Sequence, residues 1–156
     1  MSARRIVLLS LVAAALLWAV SAKAAGPLYI NEVLASNATS AKDLQGDYDD
    51  WIEIYNAGTQ AVDCGGMYLT DDLEEPRKWQ IPTGNPSLTT LPSGGYLLIW
   101  ADNDVDDSGL HASFGLSAAG DEVALFDVDG VTLIDEVGFD PQQADISLGR
   151  LPDGGD

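Results

Sequence analysis

From Leu28 onward the apolar positions alternate in short runs, and each run stops at a cluster of Gly, Pro, Asn, Asp or Ser. The clearest is "DWIEIYN". Successive side chains of a strand leave opposite faces, so Ile52 and Ile54 share one face while Trp51, Glu53 and Tyr55 share the other. Glu53 is therefore expected on the solvent side. "LYINEVLA" alternates in the same way, and "GMYLTDD" and "RKWQIP" read as shorter strands, the latter ending at Pro82. "YLLIWAD" is almost wholly apolar, which predicts a strand covered on both faces. "EVALFD" and "TLIDEVGF" flank Asp129-Gly130, a strong hairpin signal. "TGNPSLTTLPSGG" reads as a loop with a short strand at its centre, and "ISLGRLPDGGD" as the start of a last strand with nothing after it to close an edge.

Beyond the N-terminal segment no helical period persists for a useful length; "SAKDLQGD" holds one turn at most. About seven to nine short strands separated by turn signals predict an all-β protein, an antiparallel β-sandwich forming one domain over residues 25–156. The N-terminus differs in kind. Arg4 and Arg5 precede an apolar run over residues 6–22, which closes in Ala22-Lys23-Ala24. That is the charge, apolar stretch and small-residue site of a secretory signal peptide, residues 1–24, with cleavage after Ala24. The run is marginal for a membrane span, so a retained anchor is the lesser reading. The expected location is secreted, periplasmic or at the cell surface, with no membrane attachment in the mature form.

Removal of residues 1–24 leaves all 25 acids against four bases, Lys42, Arg77, Lys78 and Arg150, so the mature chain is more negative than the −18 of the full sequence. Such a surface repels phosphate backbones, and nucleic acid is excluded as an expected partner. Divalent cations or basic partners suit it, and acidity also keeps an exported protein soluble. The lone cysteine, Cys64, cannot form an internal disulfide; it is read as a small buried hydrophobe or a link between chains, with no nearby histidine to make it a nucleophile. The single histidine, His111, lies in a loop-to-strand segment, where packing or hydrogen bonding is the ordinary role. No nucleophile elbow, zinc-ligand spacing or phosphate loop is present.

The remaining chemistry is carboxylate-based. Glu32 and Glu53, both in alternating strands, are the candidates for a catalytic acid pair of the kind glycosidases use, but the solvent-side placement of Glu53 argues against it. No catalytic residue is assigned. "DNDVDDSG" sets Asp102, Asp104 and Asp106 at alternate positions, as at the start of a calcium loop. The EF-hand pattern then fails, with Asp107 at the sixth position and Ser113 at the twelfth. Calcium is retained as the candidate ion, on Asp102, Asp104 and Asp106 or, alternatively, on Asp47, Asp49 and Asp50 of "GDYDDWIEIYN". A solvated acidic loop is the plainer explanation of both sets. Trp51, Tyr55, Tyr68, Trp79 and Trp100 all fall in strands, which fits core packing or a carbohydrate-stacking face.

Taken in order, "INEVLASN", "DDWIEIYN", "VDCGGMYLTDD", "KWQIP", "LPSGGYLLIWAD", "LHASFGLSAAGDEVALFD" and "GRLPDG" resemble the bacterial exported branch of the lamin-tail domain, of the type associated with CotH-like kinases. The resemblance spans residues 28–154. It implies an immunoglobulin-like fold and a non-catalytic interaction or scaffolding module, accessory to a catalytic domain elsewhere, with a protein or cell-surface polymer as partner. A calcium-stabilised or carbohydrate-binding adhesion module is the alternative. Two departures stand out: Cys64 replaces a usual aliphatic residue, and the family's last strand is expected to be missing.

Overall fold

The computed structural model describes residues 27–155, so the signal peptide read in residues 1–24 lies outside them. Eleven strands and one helical turn are formed among the described residues. Six strands are of ordinary length: β1 (Leu28–Leu34), β2 (Trp51–Asn56), β4 (Tyr68–Thr70), β7 (Tyr96–Ala101), β9 (Asp121–Phe126) and β10 (Leu133–Phe139). Five are two-residue pairings: β3 (Val62–Asp63), β5 (Trp79–Gln80), β6 (Thr90–Leu91), β8 (His111–Ala112) and β11 (Leu148–Gly149). These short pairings account for the excess over the expected seven to nine, because two residues carry no alternation to detect. No helix among the described residues is long and apolar enough to cross a membrane.

One sheet has the order β11-β1-β2-β7-β8, a second β10-β9-β4-β5, and β3 pairs with β6 alone. The two larger sheets face each other as an immunoglobulin-like β-sandwich. Ile30, Val33, Ile52, Ile54 and Ile99 of the first meet Leu69, Trp79, Val123 and Leu125 of the second in one core. Cys64 is fully buried there, and burial, with Asp63 adding to it, pushes its thiol up to about 12. A thiol so held is neutral and inert at any physiological pH.

Three expectations change. Not every pairing is antiparallel: β8 runs parallel to β7, with His111 opposite Trp100. β7 is not covered throughout, since Tyr96 and Leu98 are exposed; only its far end is buried on both sides, where Trp100 stacks on His111. The Pro-rich loop holds a helical turn, α1 (Pro86–Thr89), before β6. Its signal is Pro86 at the first helical position, where the missing N–H costs nothing. The last strand expected from "ISLGRLPDGGD" forms as β11, an edge strand paired with β1. Arg150 fixes it there by donating to the Ile30 carbonyl at 2.9 Å, to Asp135 at 3.1 Å and to the Gly155 carbonyl at 2.6 Å.

Candidate functional site

The densest chemistry lies at the end of the first sheet where β2 meets β7. After Ala101 the chain leaves as a polar loop and returns parallel to itself, because Trp100 N–H donates to the Leu110 carbonyl and Asn103 N–H to the Ala112 carbonyl. This hook sets His111 beside Asp102. The Asp102 carboxylate lies 2.6 Å from His111 Nδ1, and its other oxygen accepts the Asp104 N–H at 2.9 Å. Both side chains are almost entirely inaccessible. Burial pulls the imidazole pKa down, but the Asp102 hydrogen bond and charge, helped by the Ser108 carbonyl and Asp107, outweigh it and the net shift is upward.

Nδ1 is thus engaged, and Nε2 is buried with no partner in hydrogen-bonding geometry; the Ser108 carbonyl is near enough to favour the charged ring without reaching that geometry. A Cβ on Gly109 would reach to 3.1 Å from Nε2; Gly109 also has φ +132°, so the approach to this nitrogen depends on glycine.

The loop joining β1 to β2 supplies the opposite wall. Buried Asn37 organises it, donating through Nδ2 to the carbonyls of Ala41 and Asp49 and accepting from Ser40 and Ala41 through Oδ1. Asp43 is aimed by accepting the N–H groups of Gly46 and Asp47, both at 2.7 Å. The result brings one ligating atom each from Asp43, Asp107 and His111 within 4.8 Å of one another. Asp49 sits on the same rim: burial first, then the charges of Asp102, Asp43, Asp47 and Asp104, push its pKa up. Among the described residues no lysine or arginine is ion-paired with Asp43, Asp49, Asp104 or Asp107.

The residues singled out in the sequence are placed as follows by the fold. Asp102 serves His111, Asp104 and Asp106 are exposed, and Asp47 is exposed too. Asp50 accepts the Asn37 N–H at 2.9 Å, and burial raises its pKa against that bond. Asp43 and Asp107 stand on separate loops with no shared spacing, so the sequence does not bring them together. The one linear clue was a lone histidine at the end of the aspartate-rich loop.

Glu32 and Glu53 are directly opposite each other in the β1–β2 register. Glu53 is not a free solvent-side acid. It is half-buried, accepts from Asn31 Nδ2 at 3.1 Å, and has its pKa raised, chiefly by burial. The reason is the C-terminal tail, which folds back over this face: Tyr96 donates to Asp153, and Gly154 N–H donates to Asn31. Glu32 in turn accepts from the Ser147 hydroxyl. The groove that Glu32 lines, about 240 Å³ between β1, β10 and β11, does not include Glu53.

Fold and site together define an immunoglobulin-like sandwich domain whose polar chemistry sits on loops at one end. The chain matches the Lamin Tail Domain family over residues 21–140, more than three-quarters of its length, and belongs to that family. No curated protein and no solved structure matches it.

Proposed function

We propose that the chain is a non-catalytic interaction module of an exported bacterial protein. The observation that carries this reading is a lamin-tail sandwich in which the thiol, the imidazole Nδ1 and the half-buried Glu53 are each held by neighbouring groups. The Cys64 thiol is held neutral in the core. His111 is tied to Asp102, and Glu53 is covered by the C-terminal tail and bonded to Asn31. The partner is a protein or a cell-surface polymer. The surface offered to it is the strip of the β2–β7 outer face left open beside the C-terminal tail, where exposed Leu98 stands beside Tyr96, whose ring lies 5.0 Å from Tyr55. An apolar and aromatic strip on a strongly acidic molecule suits contact through its centre with charge discrimination at its rim.

Two measurements test it. The purified chain should turn over none of a panel of phosphoesters, peptides and glycans; turnover abolished by His111→Gln or Glu53→Gln overturns the reading. Leu98→Ser, which adds no charge opposite Glu53, should abolish retention on cell-envelope material while leaving the far-ultraviolet circular dichroism spectrum unchanged. Export is tested by N-terminal sequencing of the chain secreted from a bacterial host, with Ala25 as the expected first residue.

A further inference from the structure

We propose that Asp43, Asp107 and His111 form a site for one divalent transition cation of the zinc class, with Asp102 as the positioning residue behind the imidazole. This goes beyond the interaction reading and does not depend on it.

The unsatisfied nitrogen is the starting point. A buried polar atom without a partner costs about 1–3 kcal/mol, and native folds leave few of them. His111 Nε2 is such an atom, and the imidazole brings a ring nitrogen within 4.8 Å of a carboxylate oxygen from each of two separate loops. The other ring nitrogen is fixed by Asp102 at 2.6 Å. A carboxylate on one imidazole nitrogen and an open second nitrogen is the arrangement by which proteins set a metal-binding tautomer, because the carboxylate holds the proton on Nδ1 and raises the basicity of Nε2. Metal–nitrogen and metal–oxygen bonds of about 2.0–2.2 Å place ligands of one zinc ion about 3–4 Å apart. The three atoms here, within 4.8 Å of one another, need only a small inward movement. Asp43 is already aimed by two backbone N–H groups, and Asp107 is exposed on a loop with room to adjust.

The donor set chooses the ion. Calcium takes six to eight oxygen ligands and has little use for imidazole, whereas one nitrogen with two carboxylates suits zinc and its first-row neighbours. Three protein ligands leave one tetrahedral position for water or for a partner's side chain. The ion would also offset the repulsion among the rim carboxylates and would tie the β1–β2 loop to the β7–β8 hook.

The test is titration calorimetry of the full chain with zinc chloride, alongside calcium chloride. The expected result is saturable binding of one zinc ion. Asp43→Asn, which keeps an oxygen to accept the Gly46 and Asp47 N–H groups, and Asp107→Asn, at an exposed position, should each weaken it at least tenfold. Asp106→Asn, on the same loop but outside the set, should leave it unchanged. Asp102→Asn should weaken it by about 10–100-fold through the loss of imidazole orientation. Nitrogen NMR of the wild-type chain should show Nε2, not Nδ1, shifting on zinc addition. The proposal is overturned by absence of saturable binding, by equal losses in Asp106→Asn and Asp107→Asn, by a shift at Nδ1, or by equimolar calcium displacing zinc.

Discussion

Asn56 shows how much one buried polar side chain does in this molecule. Fully inaccessible at the end of β2, it donates to the carbonyls of Gln60, Leu91 and Pro92 and accepts the Gly58 N–H. Every polar atom of its amide is used, so the side chain ties β2 to the β6 segment at no desolvation cost. Asn56→Ala strands those carbonyls, and urea unfolding should show a loss of about 1–3 kcal/mol with an unchanged m-value. Asp145 and Asp129 are the corresponding devices at the surface. Asp145 accepts from the Thr39 hydroxyl and from the N–H groups of Thr39 and Ala38, in that order of effect, which lowers its pKa. Asp129 is lowered by Thr132 N–H first, then by the Thr132 hydroxyl and Val131 N–H. A carboxyl whose folded pKa lies below its ordinary value of 3.8 adds stability that is complete above that value. That stability disappears as pH falls below 3.8 toward the lower folded value. Thermal melts of wild type and Asp145→Asn should therefore differ at pH 7 and converge at the most acid end of the range.

At the scale of elements, two features break the regular pattern and both position chemistry. One is the irregularity between Ile30 and Glu32 in β1, where the register against β2 shifts. It leaves Asn31 buried and pointing its amide at Glu53 and Asp153 while its carbonyl accepts the Arg150 N–H. A bulge of this kind re-aims a side chain at the cost of one ladder position. β11 depends on it, together with the Arg150 guanidinium. Arg150→Ala should cost about 1.5–3 kcal/mol, the range for hydrogen bonds to a charged group, and hydrogen exchange should show the Arg150 backbone amide losing protection while β2 and β7 keep theirs. The second feature is the parallel return of β8, which alone places His111 beside Asp102. Register in that hook is set by two residues, so its identity rests on the hydrogen bonds to Leu110 and Ala112 more than on any hydrophobic period.

The described residues form one sandwich with one core, and its stability should behave as a unit. Ile54 in the first sheet and Leu125 in the second are both fully inaccessible and belong to the same cluster. Truncating either to alanine should cost about 2–5 kcal/mol, and each variant should still unfold in a single transition seen equally by tryptophan fluorescence and far-ultraviolet circular dichroism. Two separate transitions would show that the sheets fold apart. What the sequence determined by itself was the part of the fold governed by local periodicity. Ile52 and Ile54 face inward because alternation forces them to one side, and Asp129-Gly130 marks a hairpin because its turn chemistry is local. The family was legible for the same reason, in seven motifs taken in order. The tertiary structure alone decided where Glu53 ends up, since a tail about a hundred residues away, at Asp153 and Gly154, covers it. It also decided which acids meet the histidine. Asp43 and Asp107 are distant in sequence, and only the loop held by Asn37 and the parallel hook at β8 bring them to His111. Alternation encodes which face a residue takes, and an electrostatic site on loops depends on distances that no local period records.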